Sequence, residues 1–142
     1  IIITLDRDIF TLMHQKVRLS MKSINYELQE HALFSSQWSL LYCLKKNGSM
    51  TQKEMAEYLH VESPTITRTL LKLEESGYIK RQSGIDKRER VVSLTEKALA
   101  CFPAVDESVR RHERNMLCRL SPGEKQQLAR LLEKIDYSEE RR

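Results

Sequence analysis

Five cationic side chains, Lys80, Arg81, Lys87, Arg88 and Arg90, fall within eleven residues, and only Asp86 and Glu89 are set against them. Such a cluster favours a polyanion, because every phosphate neutralised by a basic side chain releases condensed counterions. A second set lies upstream. Ser63, Thr65, Thr67, Arg68, Thr69 and Lys72 are the positions left over once Ile66, Leu70 and Leu73 are assigned to the inner face of a helix. Arginine can grip guanine O6 and N7 with two parallel hydrogen bonds, and threonine offers a donor, an acceptor and a methyl group. Neither set is diagnostic alone. Solvated helix faces also carry threonines, and exposed ion pairs on a hairpin contribute little. What distinguishes them is the order of the elements that carry them.

Ile9, Met13, Val17, Met21, Ile24 and Leu28 recur every three or four positions and predict a first helix over residues 5–30. Ser35-Ser36 offers a cap for a second helix bearing Trp38, Leu41 and Leu44, which stops at Lys46-Asn47-Gly48. Thr51-Gln52-Lys53-Glu54 is a capping-box pattern that opens a short third helix with Met55, Ala56 and Leu59 inward. Ser63-Pro64 begins a fourth, with Ser63 as its cap, and Gly77 ends it. The periodicity then changes to that of strands at residues 78–82 and 90–94, with residues 83–89 as a polar hairpin tip. Thr95 caps a long fifth helix in which Pro103 is expected to cause a bend. Ser121-Pro122-Gly123-Glu124 opens a last helix with Leu128, Leu131, Leu132 and Ile135 on one side.

Two short helices joined by the turn Leu59-His60-Val61-Glu62, followed by a basic hairpin, describe a winged helix-turn-helix. The fold class expected is mainly α with a small β-hairpin wing. The fourth helix would enter a major groove, and the wing tip would reach a minor groove or the flanking backbone. Asp86, two residues before Arg88, is placed to hold that guanidinium by a bidentate contact and so to aim it.

Composition agrees with this and excludes other classes. A chain of 142 residues suits one domain with a sizeable core. The net charge of +4 permits an anionic partner. No run approaches the roughly 20 apolar residues of a membrane span, and Ile1-Ile2-Ile3-Thr4 lacks the features of a signal peptide. A cytoplasmic location without membrane attachment is therefore expected. Cys43, Cys101 and Cys118 are odd in number and form no CxxC pair, so neither a disulfide framework nor a zinc ribbon is expected. His14, His31, His60 and His112 are dispersed, and His112 beside Glu113 is a poor ligand pair, because adjacent helix residues point apart. No catalytic motif is present, so no enzyme activity, metal or cofactor is expected. A winged helix used for protein contact would carry an apolar recognition face, unlike the one here.

The run Asp86-Lys87-Arg88-Glu89-Arg90-Val91-Val92-Ser93-Leu94-Thr95 resembles the D-x-R-x-x-x-V-x-L-T wing signature of the MarR (multiple antibiotic resistance regulator) family. Residues 51–56 are similar to that family's first helix-turn-helix helix. Residues 63–68 and 73–79 are similar to its recognition helix and the turn into the wing, Gln37-Trp38 to the start of its second helix, and residues 120–124 to the start of its last. Gly123 departs from the usual acidic residue. The resemblance implies a bacterial transcription regulator, a repressor that binds an inverted-repeat operator in double-stranded DNA as a homodimer. It divides a single domain over residues 1–142 into intertwined dimerisation helices (residues 1–32 and 96–142) and a DNA-binding lobe (residues 33–95). DNA contacts are implied for Ser63, Thr65, Thr67, Arg68, Lys72, Asp86, Lys87, Arg88 and Arg90, with Arg88 in the minor groove. The apolar stripes of the terminal helices, and Ile1, Ile2, Ile3 and Leu5, independently call for a partner surface.

The resemblance also implies a ligand cleft between the lobe and the dimer helices, filled by a small aromatic or anionic effector. Arg18, Met21, Trp38 and Tyr42 are candidates, although their helical spacing also fits core packing. The alternative trigger is oxidation, for which Cys118, near Arg114 and Arg119, is the candidate thiol.

Overall fold

The computed structural model describes residues 1–86 and 88–138. Along them run α1 (Leu5–Leu28), a 3-10 turn (Gln29–His31), α2 (Ser35–Asn47), β1 (Met50–Thr51), α3 (Gln52–Leu59), α4 (Ser63–Glu75), β2 (Ile79–Ser83), β3 (Arg90–Leu94), α5 (Glu96–Leu117) and α6 (Pro122–Lys134).

Most helix starts have a local cause. The Thr51 hydroxyl accepts from the Glu54 amide at 3.1 Å, and the Glu54 carboxylate accepts from the Thr51 amide at 3.1 Å. Ser121 and Glu124 repeat this box at 3.2 and 2.9 Å. Thr95 caps α5 through the Ala98 amide at 3.3 Å. These bonds satisfy backbone donors that have no partner within the helix. They also hold the Glu54 and Glu124 carboxyls below their ordinary range, because the backbone amides favour the charged form.

Two starts differ from the sequence expectation. The cap of α2 is Phe34, not Ser35-Ser36. Gln37 Oε1 accepts from the Phe34 amide at 2.9 Å, and Ser35 is already helical, with its amide donating to Asn25 Oδ1 at 2.7 Å. The cap of α4 is Glu62, not Ser63: the amides of Thr65 and Ile66 both donate to the Glu62 carbonyl, at 3.1 and 3.2 Å. Pro64 is tolerated in this first turn because its amide would have no helical partner there in any case. α5 stays continuous through Pro103, which leaves the Leu99 carbonyl without its usual donor.

The sheet order is β1-β3-β2, antiparallel throughout, with Val92 opposite both Met50 and Arg81. β1 was not expected. It is two residues long, and its last residue, Thr51, is also the cap of α3. Leu28, Leu40, Met55, Leu70, Leu73 and Val92 are fully buried and draw α1, α2, α3, α4 and β3 into one core.

A polar seam joins α1 to α5. His112 Nδ1 lies 2.8 Å from Ser23 Oγ, and His31 Nε2 lies 2.8 Å from Ser108 Oγ. Ser108 also donates to Glu30 at 2.6 Å, and Arg111 contacts Glu27 and Glu30 at 3.1 and 3.2 Å. Beyond the seam, α6 buries none of its residues. Leu128, Leu131, Leu132 and Ile135 are exposed, as are Ile1, Ile2, Ile3, Ile9, Phe10, Leu12 and Val17 at the other end of the chain. Among the described residues, no helix is long and apolar enough to cross a membrane.

Candidate nucleic-acid interface

α3 ends at Leu59, where His60 takes a left-handed conformation with φ 53° and turns the chain into α4. Left-handed backbone is uncommon outside glycine, and here one such residue suffices to reverse the path. α4 buries Ile66, Leu70 and Leu73 and leaves Ser63, Thr65, Arg68 and Lys72 exposed, as the helical stripe predicts. Gly77, at φ 79°, ends the helix, and the Thr95 hydroxyl donates to its carbonyl at 2.6 Å, joining the wing base to the start of α5.

Two concavities with basic side chains in their walls flank α4. The larger, about 420 Å³, lies between the start of α3 and the wing and is lined by Gln52, Lys53, Ser63, Arg88 and Arg90 among others. The smaller, about 160 Å³, lies on the other side and brings Thr65, Arg68, Thr69 and Lys72 against Phe34, the cap of α2, and Ser36 and Gln37 in its first turn. Among the described residues, none of Lys53, Arg68, Lys72, Arg88 and Arg90 forms an ion pair, so their charge is available to an external anion.

Three expected roles change. Thr67 is half-buried, and its hydroxyl is engaged within the protein: it donates to the Ser63 carbonyl at 3.0 Å and accepts from Gln52 Nε2. Asp86 does not hold the Arg88 guanidinium. Its Oδ1 accepts from the Arg88 backbone amide at 3.0 Å, an Asx-type turn in which the short carboxylate reaches the nearer donor. Arg81, counted among the basic cluster, turns inward beneath the wing. Its side chain is 13% exposed, Nε lies 3.5 Å from Glu74 Oε2, and Nε and Nη2 are buried without a hydrogen bond among the described residues. Lys80 stays exposed, and Lys87 lies outside the described residues. Sequence reasoning missed Gln52 and Lys53. The only available signal was their place directly after the cap of the first helix-turn-helix helix.

Of the ligand candidates, Trp38 and Tyr42 come together, with ring centroids 5.8 Å apart and stacked, and Phe102 stacks on Trp38 at 5.3 Å. Trp38 is buried and Tyr42 half-exposed. A cavity of about 260 Å³ beside them is lined by Trp38, Tyr42, Asp106, Val109, Arg110 and Glu113. Arg18 and Met21 are exposed on α1 and do not line it. The basic group present is Arg110, which already binds Asp106 at 2.8 Å. Cys43 is buried, which raises its thiol pKa, Cys101 is half-buried, and Cys118 is exposed at the carboxyl end of α5. Among the described residues, no cluster of three metal-ligating side chains occurs.

The turn between α3 and α4 and the β2–β3 ribbon beside them define a winged helix-turn-helix. Residues 33–89 match the sequence pattern of the MarR family. The chain is 40% identical over 126 residues to the HTH-type transcriptional regulator YwoH of Bacillus subtilis (strain 168), covering 89% of this chain and 92% of that one. It is also similar to the MarR protein from Peptoclostridium difficile, with a TM-score of 0.84, 26% identity, and coverage of 94% of this chain and 88% of that one. A mutant MarR from E. coli, solved in complex with operator DNA, shares the fold with a TM-score of 0.82 at 23% identity, over 93% of this chain and 98% of that one. The chain belongs to the MarR family of transcriptional regulators, which are not enzymes.

Proposed function

We propose that this regulator binds double-stranded DNA at an inverted-repeat operator as a homodimer and represses transcription by covering the promoter. The observation that carries the reading is the unpaired basic surface on both sides of α4. Arg68 and Lys72 lie in one concavity, and Lys53, Arg88 and Arg90 line the other, beside Ser63. A duplex laid along α4 would place a major groove on Ser63, Thr65 and Arg68 and its flanking phosphates on the two concavities. Lys87 and the Asp86 turn would complete the wing contact, with Arg88 in the minor groove.

The homodimer is supported by the exposed apolar residues of α1 and α6. Residues 1–32 and 96–142 would intertwine with a second copy, leaving residues 33–95 as the DNA-binding lobe of a single domain. Two-fold symmetry would set two copies of α4 about one helical turn apart. The protein would act in the cytoplasm, where its operator lies. A small aromatic effector entering beside the Trp38–Tyr42 stack would touch both α2, in the lobe, and α5, in the arm. Different affinities for two spacings of the lobes would then release the DNA.

The test is fluorescence anisotropy with a labelled duplex from upstream of the protein's own gene, an unrelated duplex of equal length, and a salt series. Tight binding to the first, weak binding to the second and a steep loss with salt are expected. Equal, weak binding to duplexes covering that whole upstream region and to the control would overturn the proposal.

A further inference from the structure

The two helices of the reading head are joined by one directional side-chain contact. Gln52, the first residue of α3, donates through Nε2 to Thr67 Oγ1, near the middle of α4, and the same hydroxyl donates to the Ser63 carbonyl at 3.0 Å. The chain of bonds fixes the orientation of the amide. A backbone carbonyl can only accept, so the single Thr67 proton goes to Ser63, and Gln52 must present its NH2 group to the remaining lone pair. Met55, Ile66 and Leu70 of the two helices share the apolar core, and Ala56 and Leu59 pack against it. Interdigitated packing sets the spacing and crossing of the two helices, and the clasp adds a directional bond that resists rotation of α4 about its own axis. That rotation matters here. Side chains reach roughly 5–6 Å from a helix axis, so a turn of about 20° displaces their tips by about 2 Å. Such a displacement is enough to break a bidentate hydrogen bond to a base.

We propose that Gln52 is a positioning residue for sequence discrimination. By clasping Thr67 it sets the rotation of α4 and so the direction in which Ser63, Thr65 and Arg68 meet base edges. This rests on the DNA-binding reading above. The prediction is selective. Backbone phosphate contacts by long, exposed cations tolerate a small rotation, whereas base contacts do not.

The test uses the full-length protein, with Gln52→Ala, Thr67→Val, the double variant and Thr67→Ser titrated against the operator duplex and an unrelated duplex. Gln52→Ala and Thr67→Val are each expected to lose about tenfold in operator affinity and to change by less than about twofold on the unrelated duplex. The double variant should be no worse than either single, because both remove the same contact. Thr67→Ser, which keeps the hydroxyl, should bind like the parent. Equal losses on both duplexes would overturn the proposal in favour of a direct phosphate contact by Gln52, and additive losses would show that the two residues act separately. The parent serves as control for the underlying reading: if it fails to prefer its operator, DNA recognition itself falls. The clasp is then still read from free-protein melting temperatures, which are non-additive for the pair if it forms.

Discussion

Asp86 Oδ1 accepts a hydrogen bond from the backbone amide of Arg88 at 3.0 Å, so the carboxylate shapes the turn rather than pairing with the Arg88 guanidinium. The Arg88 carbonyl side of the tip is held separately: the Glu89 amide donates to the Asp86 carbonyl at 2.9 Å, and the Gly84 amide donates to the Glu89 carbonyl at 3.0 Å. A turn made this way needs an acceptor atom, not a charge. Asp86→Asn should therefore keep the tip and retain operator affinity within about threefold, whereas Asp86→Ala should lose about tenfold, on the usual worth of one hydrogen bond. A loss in Asp86→Asn as large as in Asp86→Ala would restore a charge-pairing role for the carboxylate. Anisotropy titrations of the two variants decide it.

Arg68, Lys72 and Arg88 should separate by kind of contact. Arg68→Ala removes a candidate base contact and should cost about 1–3 kcal/mol on the operator while relaxing base preference. Lys72→Ala should weaken binding on all duplexes alike and lower the salt slope by about one unit. Arg88→Ala should weaken binding with less change in preference than Arg68→Ala. Binding selections on randomised duplexes read the preference, and parental behaviour in both arginine variants would remove them from the interface.

The exposed leucines of α6 make the dimer testable without DNA. The chain mass is 16.7 kDa, and the parent should sediment at twice that value. Leu131→Asp places a charge in the middle of the proposed interface and should shift the species to monomer, with a corresponding loss of operator affinity. A parent that sediments as a monomer at micromolar concentration would end the dimer proposal.

Acid should loosen the joint between α1 and α5. His112 is 7% exposed, and burial lowers its pKa below the ordinary 6.5, partly offset by the nearby Glu113 and Glu27 carboxylates. The folded state thus favours the neutral ring. Its contribution is full above 6.5, the unfolded value, and is lost as pH falls toward the depressed folded value. His112→Asn keeps a polar partner for Ser23 but cannot titrate. It should be less stable than the parent near neutral pH and lose less on acidification, as read from melting temperatures at about pH 7.5 and about pH 5.5. Parallel losses in parent and variant would assign the acid sensitivity to other groups.

Much of this was legible in the sequence because the signals are local. The boxes at Thr51–Glu54 and Ser121–Glu124 span four residues each, and the stripe Ile66, Leu70, Leu73 follows from helical periodicity alone. What escaped depends on contacts between distant residues. A strand as short as β1 has no periodicity to detect and exists only because β3 lies beside it. Thr67 reads as outward by helical spacing, and its contact with Gln52, fifteen positions earlier, has no signal in that spacing. Arg81 reads as one more wing cation, yet strand alternation places it on the face of Ile79, toward the core and Glu74. The Ser35 and Ser63 caps were misplaced by one residue or so because Gln37 and Pro64 act inside the first turn, where several residues can serve as the boundary.

Thr51 both ends β1 and caps α3, and it lies opposite Val91, one pair from the tip end of the β2–β3 ribbon. One residue therefore belongs to the ribbon and to the helix at once, and the spacing between them has no slack. An insertion between Met50 and Gln52 would have to break the pairing with β3 or displace the α3 cap, and either would uncouple the wing from the helices beside it. The tip at residues 84–89 carries no such double duty. Among relatives built on the same plan, changes in chain length should accumulate at the tip, where operator geometry can be matched, and be excluded from the short segment before α3.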